Sequence, residues 1–132
     1  MAGIKVVTDS TADLPQELIS ELGIEMLPVN IVLDGKTYRD KVDIHSESFY
    51  STIDNYSKMQ SQPVSYTDYA YMYKKLTRQH DSLIIIHCSR HVSGTYDNAV
   101  AVHNDFAGTH NSRVAIIDSG QSGLGLGLLV LD

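Results

Sequence analysis

Three polar segments of the chain hold most of the residues capable of chemistry: Asp9-Ser10-Thr11, the run from His87 to Thr95, and Asp118-Ser119-Gly120. The middle one is the richest. Its end, Ser93-Gly94-Thr95, directly precedes a predicted helix. The free N–H groups of a first helical turn, joined by the Ser93 and Thr95 hydroxyls, form a cradle for a carboxylate or a phosphate. Gly94 lets the backbone approach a ligand closely. Serine and threonine at such a place also cap the helix, which is their commoner use. Asp9 and Asp118 offer carboxylates for acid–base work, although strand-end carboxylates more often fix loops by accepting backbone N–H bonds.

Two enzymatic readings compete with ligand binding. Ser93 could serve as the nucleophile of a hydrolase with His91 and Asp118, but the Gly-x-Ser-x-Gly elbow is absent. His87 is the candidate for a phosphocarrier, on the strength of one histidine. His87, Cys88 and His91 match no metal-ligand spacing. The expectation is that His87 and Cys88 are partly buried loop residues and that His91 faces solvent. Gly123-Leu124-Gly125-Leu126-Gly127 has the wrong spacing and the wrong place for a dinucleotide fingerprint. Small residues that pack a helix closely against a sheet explain it better. Tyr66, Tyr69 and Tyr73 read as core.

The elements that must position these residues alternate between strand and helix patterns. Ile4 to Thr8 reads as a strand, followed by a helix with Asp13 as cap and Pro15 in its first turn. Leu14, Leu18 and Leu22 share a face, and Gly23 stops that helix. Ile24 to Leu33 reads as a second strand, with Pro28 implying an edge or an irregularity. Asp34-Gly35 is a turn signal from which residues 36–39 return as a hairpin strand. Helices are expected from near His45-Ser46, with Phe49 and Ile53 inward, and from near Ser65, where Ser65-Tyr66-Thr67-Asp68 resembles a capping box. The second buries Tyr66, Tyr69, Ala70, Tyr73 and Leu76 at helical spacing. Leu83 to Ile86 and Val114 to Ile117 are short apolar runs, as expected for parallel strands covered on both faces. Helices from Thr95 to Phe106 and from Gly123 to Leu131 complete the pattern. The fold class is therefore α/β, a three-layer domain with a mainly parallel sheet flanked by helices. In such sheets ligands bind beyond the carboxyl ends of the strands, where the three polar segments lie.

The bulk properties exclude several classes. The chain has 132 residues, enough for one domain with its own core. Hydrophobic residues make up 42% and charged residues 20%, an ordinary globular balance. Acidic residues outnumber basic ones by 16 to 10, for a net charge of −6. That argues against nucleic acid as partner, since phosphate backbones need a positive surface. Lys74, Lys75 and Arg78 read as the solvated face of a helix. No segment approaches the run of about 18 apolar residues that a membrane span needs. The start lacks a signal-peptide pattern, so a cytoplasmic location is expected. The single cysteine, Cys88, excludes an intrachain disulfide and a cysteine-rich zinc site. No cofactor or metal is implied.

A resemblance sharpens this reading. Asp9-Ser10-Thr11-Ala12-Asp13-Leu14-Pro15 after an opening strand resembles the start of the DegV family. So do Pro28-Val29-Asn30-Ile31 followed by Asp34-Gly35-Lys36-Thr37-Tyr38-Arg39-Asp40, then Ser93-Gly94-Thr95-Tyr96 with Ala99, then Ile117-Asp118-Ser119. Ser61-Gln62-Pro63 stands where that family carries Thr-Ser-Gln-Pro-Ser, with Gln60 and Val64 replacing the outer threonine and serine. The matches are collinear over almost the whole chain. The resemblance implies an N-terminal domain of a two-domain protein that binds a long-chain fatty acid between its halves and does no chemistry itself. It implies that Ser61 and Ser93 hold the carboxylate, with Gly94, Thr95 and Gln60 around them. In some members the acid is presented to a fatty acid kinase. The chain ends at Asp132, short of the family's second domain. A lone half is expected to bind weakly, to lack independent activity, or to expose an apolar face through which it forms a homo-oligomer.

Overall fold

A computed structural model describes residues 3–132. Strands β1 (Ile4–Asp9), β2 (Glu25–Leu27), β6 (Ser82–His87) and β7 (Arg113–Asp118) form a parallel sheet in the order β2-β1-β6-β7. Strands β3 (Asn30–Leu33), β4 (Lys36–Arg39) and β5 (Met59–Gln62) form a smaller antiparallel sheet in the order β4-β3-β5. The helices are α1 (Gln16–Glu21), α2 (Ser46–Thr52), α3 (Tyr66–Gln79), α4 (Thr95–Phe106) and α5 (Gly123–Leu131).

The parallel sheet is the middle of three layers, as expected from the alternation of elements. On one face, Val7, Leu83 and Ile85 pack with Tyr69, Ala70, Met72, Tyr73 and Leu76 of α3 and with Ala99 and Val102 of α4. On the other, Val6 and Ile86 meet Ile19 of α1 and Leu126 and Val130 of α5. Alternate residues of β1 and β6 thus feed two separate cores, which is the period-2 geometry of a strand covered on both sides.

Local chemistry explains the element ends. The Ser65 hydroxyl accepts the Asp68 N–H at 3.1 Å and caps α3. Asp34 and Gly35 both have positive φ, 47° and 85°, as a two-residue primed hairpin turn requires. The Asp34 carboxylate then accepts the N–H groups of Ser57 and Lys58, at 3.0 and 2.7 Å, and so aligns the entry to β5. Gly127 is buried against the turn that follows β1; a Cβ there would sit 2.4 Å from the Ala12 carbonyl oxygen. Of the glycine run, Gly127 alone comes this close to backbone of another element, and that element is this turn where the sheet was expected.

Several expectations need correction. The segment 24–33 is two strands in two different sheets, separated at Pro28-Val29. Asp13 does not cap α1; it takes a left-handed conformation (φ 53°) closing a 3-10 turn at Ser10–Ala12, and Pro15 occupies the cap position. β7 is an edge strand with alternate residues exposed, including Ile117 at 43%, so it is not covered on both faces. Tyr66 lies 40% exposed at the rim of α3, outside the buried stripe.

Candidate functional site

A cleft of about 170 Å³ lies beyond the carboxyl ends of β1 and β6, lined by Ser61, Gln62, Pro63, Ser93, Gly94, Thr11, Val29, Cys88 and Val92. Ser61 and Ser93 are 32 residues apart in sequence, and the fold brings both to this one cleft, with Gly94 beside them. The mixed lining has hydroxyls and a glycine backbone for a polar head group, and Val29, Val92 and Pro63 for apolar contact.

The cleft is closed on one side by a latch. Thr95 opens α4, is fully buried, and accepts the Val64 N–H at 3.2 Å through its hydroxyl. Asn98, one turn later, donates its side-chain amide to the Val64 carbonyl at 2.9 Å. Both peptide groups of Val64 are therefore held by α4, and the Ser61-Gln62-Pro63 segment is drawn against the Ser93-Gly94 loop. The Val64 side chain itself is fully buried in the core between the sheet, α3 and α4. Gly94 has an ordinary φ of −80°, so its glycine character matters for space: a Cβ would touch Pro63 Cγ at 3.4 Å. Gln60 pairs with Val32 in the small sheet and is not among the lining residues, and Thr95 sits beneath the cleft wall.

Behind the cleft runs a buried polar chain. Asp9 Oδ2 lies 2.8 Å from His87 Nδ1, and His87 Nε2 lies 2.8 Å from the Tyr69 hydroxyl. All three residues are fully buried. Asp9 also accepts the Cys88 N–H at 3.2 Å, the Thr11 N–H at 2.9 Å and the Thr11 hydroxyl. Burial pushes the Asp9 carboxyl up, but the His87 hydrogen bond and charge, with those from Thr11 and Cys88, outweigh it and hold the group below the usual carboxylate range. Burial and the charge of Asp9 push the Tyr69 hydroxyl far up. Asp9, an acceptor, requires a hydrogen on Nδ1, and Nε2 shares the second hydrogen bond with the Tyr69 hydroxyl. His87 is thus no partly buried loop residue: it ends β6, and both ring nitrogens are engaged inside the protein. Cys88 is likewise buried.

The remaining chemical candidates are not assembled. His91 is exposed, the Ser93 hydroxyl is engaged with Thr95, and Asp118 accepts the N–H groups of Arg90 and Gly120 at 3.2 and 3.1 Å. Among the described residues, no group of three or more His, Cys, Asp or Glu side chains could hold a metal ion. No helix among them is long and apolar enough to cross a membrane.

Comparison with known proteins places this geometry. A family model described as an uncharacterised protein of the DegV family matches residues 3–132. The chain belongs to the DegV family. It is 35% identical over 131 residues to a DegV domain-containing protein of Caldanaerobacter subterraneus, covering 99% of this chain and 46% of that one. It is 32% identical over 127 residues to a DegV domain-containing 15.5 kDa protein of Staphylococcus aureus, covering 96% and 88%. Among solved structures, DegV from Bacillus subtilis, a fatty acid binding protein, superimposes with a TM-score of 0.88 at 31% identity, over 97% of this chain and 45% of that one. A fatty-acid-binding DegV family protein from Thermus thermophilus gives 0.83 at 33% identity with the same coverage. The chain spans less than half of these solved relatives. Their likeness confirms the three-layer α/β fold.

Thr11, Val29, Gln62, Pro63, Cys88 and Val92 complete the lining without having been assigned to the site from sequence, although Gln62 and Pro63 stand in the motif that carries Ser61. Thr11 and Cys88 were legible as strand-end residues. Val29 and Val92 carried no chemical signal.

Proposed function

We propose that this domain binds a long-chain fatty acid by its carboxylate, with Ser61, Ser93 and the Gly94 N–H holding the head group. The observation that carries the reading is the meeting of Ser61 and Ser93 in one cleft at the carboxyl end of the parallel sheet. The fatty acid binding named for the Bacillus subtilis and Thermus thermophilus relatives supports the ligand class. A cleft of about 170 Å³ takes the carboxylate and its first methylenes; the rest of the acyl chain leaves along apolar surface beginning at Val92, which is 70% exposed. Each methylene removed from water contributes about 0.8 kcal/mol, so affinity grows with chain length in a way a carboxylate cradle alone does not supply. In this reading the protein is a carrier without catalysis of its own, works in the cytoplasm, and presents the acid to a fatty acid kinase. Thr95 supports the site from beneath its wall, and Gln60 flanks Ser61 in β5.

The test is native mass spectrometry of the purified chain, with and without denaturing extraction of lipid. A co-purifying or added fatty acid that is retained by the wild type and lost in Ser93→Ala is the expected result. A chain that ignores palmitate and oleate, or binds them equally well in Ser93→Ala, contradicts the reading.

A further inference from the structure

The hydrogen-bond directions around Ser93 are fixed from behind the cleft. The Thr95 hydroxyl accepts the Val64 N–H at 3.2 Å, and Thr95 is fully buried, so its own hydrogen must go to a protein acceptor. Among the described residues the acceptor in reach is Ser93 Oγ, at 3.1 Å. Ser93 Oγ also accepts the Thr95 N–H at 3.3 Å. A serine oxygen has two lone pairs and one hydrogen. Both lone pairs are thus turned toward Thr95, and the hydrogen is left for the cleft that Ser93 lines.

From this we infer that Thr95 is a positioning residue that makes Ser93 a one-way hydrogen-bond donor, so that the cleft selects an acceptor-only head group, an ionised carboxylate, over one that must donate. The inference rests on the proposed function of the same cleft. Thr95 contributes without touching the ligand, through a relay from the Val64 N–H to the Thr95 hydroxyl to the Ser93 hydroxyl. Each member of the relay donates to the next, and polarisation along such a chain strengthens its last bond. The relay also ties selectivity to the latch that holds Ser61 near Ser93, because the same Thr95 oxygen serves both. A hydroxyl is required at position 95; its methyl group is not.

The experiment compares palmitate with hexadecanol, which has the same chain but a head group that both donates and accepts. Dissociation constants for both are measured on the wild type, Thr95→Ser and Thr95→Val. In Thr95→Val the Ser93 oxygen regains a free lone pair, so the palmitate-to-hexadecanol preference is expected to fall roughly tenfold. Thr95→Ser is expected to keep the wild-type preference. Equal losses for the two ligands in Thr95→Val, or an unchanged preference, overturn the inference while leaving the carboxylate cleft standing. Should Thr95→Val fail to fold, Thr95→Ser and the wild type decide it: a preference lost in the serine variant, or absent from the wild type, overturns it, and one kept in both supports it. A wild type that binds neither ligand overturns the proposed function, and this inference with it.

Discussion

The two sheets treat their polar residues in opposite ways. At the strand ends of the parallel sheet, Asp9 and His87 look like chemistry but are fully buried and hydrogen-bonded to each other, with His87 also bonded to Tyr69 of α3. In the small antiparallel sheet, every residue of β5 is exposed, and Ser61 and Gln62 line the cleft. The contrast teaches that reactive residue types at strand ends are no guide to the site by themselves. A buried carboxylate–imidazole–phenol chain holds strand ends together, whereas ordinary hydroxyls on an exposed edge, latched against a loop, make the cleft. The large sheet is the frame and the small one supplies a wall.

The largest test of this contrast is Asp9→Ala. Removing the carboxylate leaves the buried His87 and Cys88 N–H groups without their acceptor, at about 1–3 kcal/mol each, and a loss of about 3–5 kcal/mol is expected in urea unfolding. The native pair has a pH signature. The folded Asp9 carboxyl titrates below its ordinary value of 3.8, so its contribution is present in full above about pH 5 and is lost as pH falls through the folded value. Wild-type stability should therefore drop below about pH 4, with a shallower acid limb in Asp9→Ala. A variant as stable as the wild type would break the comparison by showing that the buried chain holds nothing.

A smaller effect is expected at Gly127→Ala. The new Cβ meets the backbone oxygen of Ala12 at 2.4 Å, so α5 or the turn after β1 must shift. Overpacking of this kind costs about 1–3 kcal/mol, readable as a lowered midpoint in thermal or urea unfolding. The smallest expected change in stability is at Gly94→Ala, where φ is ordinary and the added methyl only touches Pro63. Unfolding should move by no more than about 0.5 kcal/mol. Palmitate binding, followed by calorimetry, should still weaken, because the methyl sits at the cleft wall. Gly94→Ala with lost stability and intact binding would reverse the roles assigned to frame and wall.

What the sequence made legible follows the same division. Helix α4 runs from Thr95 to Phe106 as its helical spacing predicts, and α3 starts at its Ser65 cap, because spacing and caps are local signals. The Asp34-Gly35 hairpin is local too. The split of residues 24–33 between two sheets was hidden, since a strand's choice of partner depends on distant residues. Strand β5 was missed for a related reason. Met59-Gln60-Ser61-Gln62 is short, polar and exposed, and only its pairing with β3 makes it a strand. The edge position of β7 and the burial of His87 depend on sheet order, which an apolar run does not encode. Ser93 was legible as a hydroxyl opening a helix and Ser61 only through family resemblance, while the Thr95–Val64 latch that brings their segments together is a tertiary contact with no local signature.

The most direct test of the central claim is where a bound carboxylate sits. Palmitate labelled with 13C at its carboxyl carbon, added to isotopically labelled protein, reports this through NMR contacts and shifts. They are expected at the Gly94 N–H, Ser93 and Ser61, and are expected to vanish in Ser93→Ala. Contacts at the Lys74, Lys75 and Arg78 face of α3, unchanged by Ser93→Ala, would contradict it.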